Sequence, residues 1–338
     1  MKHTLIGPAL ILLFHSCSAQ PVTVPKINGV SFVASGQAVA QQHVAPLVNL
    51  NANYAAVMPF GFIRDLESPE IIHNTDRQWF GETVAGAEQY IQLLHKNNIE
   101  VMLKPHIWIW HGEFTGHLKM KDEAEWLLFE KSYRNFILTY AKVAAKKNVA
   151  LFCIGTELEQ FIVNRPRFWE RLIGDVKQIY SGKLTYAANW DEYKRVPFWE
   201  QLDFIGIDAY FPISGSKTPT VEEAAKGWLR WKKELSAASK NTGKKILFTE
   251  YGYRSTHYAG KEPWKSDRSM RGINLAAQTH LTQALFDQLY GEPWFAGGFI
   301  WKWFIDHKKE GGPQDNQFTP QNKPVEAIIR AHFAKNDQ

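Results

Sequence analysis

The chain is poor in cysteine, with two residues, Cys17 and Cys153, among 338. That excludes a small domain stapled by disulfides, which needs several pairs to replace a core. No apolar run after the amino terminus is long enough to cross a bilayer as a helix. No block of like charge is present either: 39 Lys and Arg against 34 Asp and Glu leave +5 spread along the chain, no electrostatic footprint for a nucleic acid. The Gly-x-Gly-x-x-Gly and P-loop turns that cradle nucleotide phosphates are absent, as is the Gly-x-Ser-x-Gly elbow of serine hydrolases. His106, His111 and His117 lack the His-x-x-x-His spacing and have no cysteine companions, so neither a metal nor a cofactor is expected. What is abundant is aromatic surface: 14% of residues, including 13 Trp and 12 Tyr. That exceeds what packing needs and points to a flat-faced ligand.

At the amino terminus, Lys2 precedes an apolar run from Leu5 to Phe14, about the length of a signal-peptide core. Residues 1–19 are therefore expected to be a leader, with cleavage after Ala19. The alternative is cleavage before Cys17, because Phe14-His15-Ser16-Cys17-Ser18 resembles a bacterial lipobox. Phe14 and His15 depart from its usual leucine and small residue, and both readings stay open. Either way the protein is expected to be exported: secreted, periplasmic or lipid-anchored to the bacterial envelope. Cys153 is then the one thiol of the folded part.

From Ile27 onward, short apolar, β-branched or aromatic runs alternate with longer amphipathic segments, the pattern of repeated β-α units. Strands are expected at Ile27 to Val33, Tyr54 to Phe60, Val101 to Ile109, Ala150 to Glu157, Leu184 to Trp190, Phe204 to Tyr210, Ile246 to Tyr251 and Ala296 to Trp303. Helical patterns lie near Ala38 to Leu50, Glu82 to Lys96, Glu123 to Ala145, Arg167 to Tyr180, Trp199, Val221 to Ser239, Ser269 to Tyr290 and Val325 to Phe333. Eight such pairs predict an α/β fold with a single (β/α)8 TIM barrel over residues 20–338. A doubly wound open sheet is the alternative, and it wants the phosphate turn this chain lacks.

Barrel enzymes work at the carboxyl ends of their strands. The third strand ends in Lys104-Pro105-His106, the fourth in Gly155-Thr156-Glu157, the fifth in Asn189-Trp190, the sixth in Asp208-Ala209-Tyr210, the seventh in Thr249-Glu250-Tyr251 and the eighth in Trp301-Lys302-Trp303. Two-residue alternation through Cys153, Gly155 and Glu157, and through Ile246, Phe248 and Glu250, is expected to turn both glutamates inward. Such a pair across a barrel mouth suits glycosidic cleavage, in which one carboxyl protonates the departing oxygen and the other attacks the sugar. Alternatively each glutamate ion-pairs with Lys104 or Arg254. Tyr210 is a candidate donor to Glu250; Lys104 and His106 are candidates to bind hydroxyls; Trp108, Trp110 and Trp190 are candidate sugar platforms. The segment Arg254 to Lys265, with Trp264, is expected to wall the cleft.

The runs Gly155-Thr156-Glu157-Leu158, Phe248-Thr249-Glu250-Tyr251-Gly252-Tyr253, Trp301-Lys302-Trp303 and Leu103-Lys104-Pro105-His106 resemble those of clan A glycoside hydrolases. Within the clan they look like family 113, whose known members are chiefly β-1,4-mannanases, over about Ile27 to Phe333. The resemblance implies a retaining mechanism with Glu157 as acid/base and Glu250 as nucleophile, Trp301 under the cleaved sugar and Thr156 beside it; Asn189, Trp190 and Asp208, at their strand ends, are further candidates to touch the substrate. One departure stands out: many clan A families place Asn before the acid/base, and this chain has Thr156.

The leading expectation is an exported endo-glycosidase acting on a β-linked polysaccharide or oligosaccharide, with mannan ahead of β-glucan and xylan, and a monomer. The other class is a carbohydrate-binding barrel without catalysis, which needs no inward carboxylate pair.

Overall fold

The computed structural model describes residues 25–267 and 269–335; the expected leader and Cys17 lie outside them. Eight parallel strands close a barrel: β1 (Ile27–Phe32), β2 (Tyr54–Val57), β5 (Glu100–Leu103), β7 (Leu151–Thr156), β8 (Lys183–Asn189), β9 (Phe204–Asp208), β10 (Lys245–Tyr251) and β11 (Phe295–Trp303). β11 pairs with β1 to complete the ring. Around it run α1 (Gln41–Asn49), α2 (Val84–Lys96), α3 (Glu123–Lys146), α4 (Glu159–Asn164), α5 (Pro166–Ile179), α6 (Val221–Thr242), α7 (Leu275–Leu289) and α8 (Pro324–Lys335). No helix among the described residues is long and apolar enough to cross a membrane.

Two cores follow from strand alternation. Ala56, Met102, Leu151, Cys153, Ala187, Leu247 and Phe299 fill the barrel interior. The opposite strand faces meet the helices in a larger cluster. Helix α3 shows how the outer layer forms. Asp122 caps it by accepting a bond from the Glu125 amide at 2.9 Å, and Trp126, Phe129, Tyr133, Phe136 and Tyr140 recur at three- and four-residue spacing on its buried face. Burying each ring contributes roughly 1.5–3 kcal/mol. Helix α7 starts at Leu275, later than the pattern from Ser269 implies, because the Asn274 side chain caps it. Asn316 meanwhile holds the carbonyls of Ser269 and Arg271 in a loop. The short helix α4 carries too few residues to show a period and was not expected.

Two expected strands break in the same way. The runs through Tyr54 to Phe60 and Val101 to Ile109 each leave the barrel at a proline, Pro59 and Pro105, which has no amide hydrogen for the ladder. Their continuations, β3 (Phe60–Ile63) and β6 (His106–Ile109), pair in parallel and, with β4 (Ile72–His73), make a separate three-stranded sheet. That sheet forms one wall above the barrel mouth.

Candidate active site

A cleft of about 640 Å³ opens at the carboxyl ends of the barrel strands. It gathers His106, Thr156, Glu157, Asn189, Trp190, Asp208, Tyr210, Glu250 and Trp301. Of the residues expected at the substrate, Lys104 and Trp110 do not line it: Lys104 lies buried beneath it, and Trp110 lines a neighbouring hollow.

Simple alternation does not aim the carboxylates. On β10 the inward residue is Leu247, while Ile246 and Phe248 face the helices, so strict parity would turn Glu250 away from the barrel axis. The register against β9 slips between Phe248 and Glu250, and this bulge brings Glu250 to the mouth. The same device sits on β7, where the register against β8 shifts between Cys153 and Thr156. There the position of Gly155 faces the helices: a Cβ would stand 2.6 Å from the Tyr133 hydroxyl and 2.8 Å from the Trp169 ring, so only glycine fits. Glu157 follows at φ 50°, in the left-handed region, with its amide bonded to the Ala187 carbonyl at 2.8 Å. An extra residue that re-aims a side chain beside a site is what bulges commonly do. Inward pointing was the right expectation, and two-residue alternation was the wrong reason for it.

Beneath the cleft lies a buried charge cluster. The Lys104 ammonium, with no exposed surface, donates to Glu250 Oε1 at 2.6 Å and to Asp208 Oδ1 at 3.1 Å. The second oxygen of Glu250 accepts from the Tyr210 hydroxyl at 2.9 Å, and Thr249 donates to Asp208 at 2.7 Å. The ion pair considered from the sequence thus exists on the Lys104 side, but inside the cleft floor rather than instead of it. Arg254 turns elsewhere, to Asp267 and Asn316.

The cluster sets the protonation pattern. Burial pulls the Lys104 ammonium toward neutrality, yet the adjacent Asp208 and Glu250 carboxylates outweigh it and raise its pKa. Burial, followed by the charge of Glu250, lifts Asp208 to about 7 against the pull of Lys104 and Thr249. Glu157 is pushed well above the ordinary carboxylate range, first by burial and then by the charges of Asp208 and Glu250. Burial, and then the Lys104 charge, holds His106 well below the usual histidine range, so it stays neutral with Nε2 3.9 Å from Glu250 Oε1. His106 Nε2 and Thr156 Oγ1 are buried with no partner in the protein.

Aromatic rings frame the opening. Trp301 lines the cleft beside Glu250. Trp190 stacks on Trp264 with centroids 5.1 Å apart and planes at 19°, so the loop after β10 does wall the cleft. Phe60 and Trp108 close the side toward the small sheet. Asn189 uses its side-chain oxygen locally, accepting from the Trp190 amide at 2.7 Å.

Sequence reasoning missed Glu192, Glu113, Thr115 and Phe60. Glu192 is buried, accepts from the Tyr186 hydroxyl at 2.8 Å and is lifted by burial to about 7; it adds to the negative field at Glu157. Thr115 donates to the Glu157 carbonyl at 3.1 Å. The density of aromatic and polar residues from Trp108 to His117 was the available signal for that segment. Glu192, three residues beyond the end of β8, carried none.

The sequence pattern of Glycoside Hydrolase Family 113 matches residues 34–323. Among solved structures, a family 113 β-mannanase from Alicyclobacillus acidocaldarius in complex with ManMIm superposes with a TM-score of 0.78 at 22% identity, covering 93% of this chain and 98% of that one. A family 113 β-1,4-mannanase complex gives a TM-score of 0.79 at 23% identity over 92% and 99%. A Faecalibacterium prausnitzii β-glucuronidase shares the barrel at a TM-score of 0.62 and 15% identity, over 92% of this chain and 49% of the larger one. No curated protein matches. With the family pattern spanning most of the chain, the protein belongs to glycoside hydrolase family 113 and is a glycoside hydrolase with a carbohydrate substrate.

Proposed function

We propose that the protein is a retaining endo-β-1,4-mannanase, acting on mannan or glucomannan, with Glu157 as acid/base and Glu250 as nucleophile. One observation carries the assignment of roles: three carboxylates, Glu157, Asp208 and Glu250, share one buried ammonium, and it bonds Asp208 and Glu250. Glu157 receives no such cation contact and is the group that keeps its proton.

The chemistry then runs in two halves. As Glu250 attacks the anomeric carbon, the bond to the departing oxygen breaks and that oxygen takes the Glu157 proton. Glu250, now an ester, no longer carries charge, so one cause of the raised Glu157 pKa vanishes and Glu157 becomes able to accept a proton. Water attacks the same carbon, gives its proton to Glu157, and the ester bond breaks to restore the carboxylate. Tyr210 and Lys104 hold the nucleophile; neutral His106 and Thr156, each with an unpartnered polar atom, receive sugar hydroxyls. Trp301 supplies the apolar face against which the axial C–H groups of the cleaved sugar rest. The mannan preference rests on the two family 113 structures, both β-mannanases.

The test is a panel of β-mannan, glucomannan, xylan and β-glucan, read by product size and by proton NMR of the first anomer. Short manno-oligosaccharides in the β configuration are expected. A 2-deoxy-2-fluoro glycosyl donor should label the peptide Phe248 to Tyr253 and leave the Glu250→Ala variant unlabelled. An α first anomer, or preference for glucose at the cleaved position of glucomannan, overturns the proposal. Export is proposed on the leader; amino-terminal analysis of the mature protein distinguishes cleavage after Ala19 from a lipidated Cys17.

A further inference from the structure

Next to the catalytic cleft lies a second, larger concavity. It measures about 920 Å³ and runs between the end of β1 at Val33 and Ala34, the small sheet, and the segment Thr75 to Glu82. Phe60 and Trp108 line both hollows, so the groove adjoins the cleft across these two rings. Its walls carry Trp79, Trp108 and Trp110, exposed by 59%, 48% and 63%. A soluble protein rarely leaves three indoles of one groove in water unless something covers them. Arg64 and Arg77 stand at the rim, so the surface combines apolar faces with hydrogen-bond donors, the combination a sugar ring needs on its two sides.

The platform is held in place before any ligand arrives. Gln78 donates to the Phe60 carbonyl at 2.9 Å and accepts from the Thr75 amide at 3.0 Å. The Trp79 amide donates to the Glu82 carboxylate at 3.0 Å. These bonds tie the Trp79 loop to β3, so little ordering is left for binding to impose.

Position gives direction. Trp301 lies near the end of β11, which pairs with β1, which pairs with β2; the groove sits over these last two. Glu157 directly follows β7, which pairs with β8, the strand that leads into Trp190. A chain whose scissile oxygen meets Glu157 while its cleaved sugar rests on Trp301 therefore continues on the non-reducing side toward the groove, and its leaving portion crosses β8. We infer that this groove is an accessory saccharide-binding site that grips the non-reducing side of a β-linked polysaccharide, beyond the cleaved sugar, through Trp79 and Trp110. The inference rests on the proposed hydrolysis of such a chain.

The experiment compares the wild-type chain with Trp79→Ala, Trp110→Ala and the double variant. The substrates are an activated aryl β-mannoside, which spans only the cleaved position, and β-1,4-mannohexaose labelled with 18O at its reducing end. The expected result is a fall of tenfold or more in kcat/KM on the hexaose, carried by KM, with the aryl substrate unchanged within twofold. Cleavage of the hexaose should move toward its non-reducing end, and Trp79→Tyr, which keeps a ring, should recover most of the loss. Equal loss on both substrates, no loss on either, or a shift toward the reducing end overturns the inference. Failure of the substrate proposal shows separately, as a wild-type chain inert on mannan but active on another β-glycan. The comparison then runs with that glycan's aryl glycoside and hexaose, judged by the same outcomes.

Discussion

The two sides of the barrel mouth are built on opposite principles. On the β10 side the carboxylates are tied down: Glu250 is bonded through both oxygens, and Asp208 holds Lys104 and Thr249. On the β7 side Glu157 stands at a left-handed φ of 50° beside Thr156, whose hydroxyl has no partner. A fully bonded carboxylate is fixed in place, which suits a group that must meet one carbon at one angle. A less encumbered one in a negative field is free to hold, give and retake a proton. The difference in surroundings, rather than in residue type, divides the labour between two glutamates.

The comparison breaks most visibly when either carboxylate is removed. Glu250→Ala and Glu157→Gln should each lower polysaccharide hydrolysis by several orders of magnitude, but only Glu157→Gln should spare the first step of a substrate with an activated aryl leaving group. Azide should rescue that variant to give a β-glycosyl azide, because its nucleophile survives. Identical losses on both substrates, without rescue, would show that Glu157 is not the proton donor.

A smaller effect should come from the cation that holds the β10 side together. Lys104→Met leaves Asp208 and Glu250 sharing a buried space without a counter-charge, so one of them takes up a proton. We expect kcat to fall roughly 10²- to 10³-fold and the acid limb of the kcat/KM profile to move to higher pH, since the Asp208 carboxyl, already near 7, loses the group that lowers it. Tyr210→Phe, which deletes one hydrogen bond to the Glu250 carboxylate and leaves its cation in place, should cost roughly 10- to 10²-fold. A Lys104→Met profile with unchanged pH limbs would mean that the ammonium serves packing alone.

The smallest effect is on stability and has the opposite sign. Glu157 holds its proton more tightly folded than unfolded. Between the ordinary value of 4.5 and its raised folded value, the native state therefore carries the extra proton, and stability declines as pH rises through that window. Glutamine has no charge to bury. Glu157→Gln should thus melt a few degrees above the wild type at pH 8 and match it near pH 4, by calorimetry at both pH values. A gap of equal size at both would remove the charge of Glu157 as the cause.

Much of the scaffold was readable without coordinates. The eight barrel strands sit where short apolar runs alternate with amphipathic ones, because each unit must bury one face of a strand and one stripe of a helix. The spacing of Trp126, Phe129, Tyr133, Phe136 and Tyr140 announced α3 for that reason. The breaks at Pro59 and Pro105 were visible as prolines and still misread, since an apolar run on either side looks like one strand until the partner ladder is known. The exposed groove tryptophans looked like candidate sugar platforms at Trp108 and Trp110, while Trp79 gave no sign of belonging with them.

By itself the amino-acid sequence determined the class of fold, the strand ends that carry Glu157 and Glu250, and the family those motifs resemble. Periodicity and motif are properties of neighbours in the chain, and they survive unfolding. Tertiary structure alone decided the aim of the carboxylates, because a bulge exists only between paired strands. It also decided the protonation of Glu157 and the burial of Lys104. The ammonium lies 104 and 146 residues from the carboxylates it bonds. Whether such groups share a low-dielectric space is settled only when the barrel closes around them.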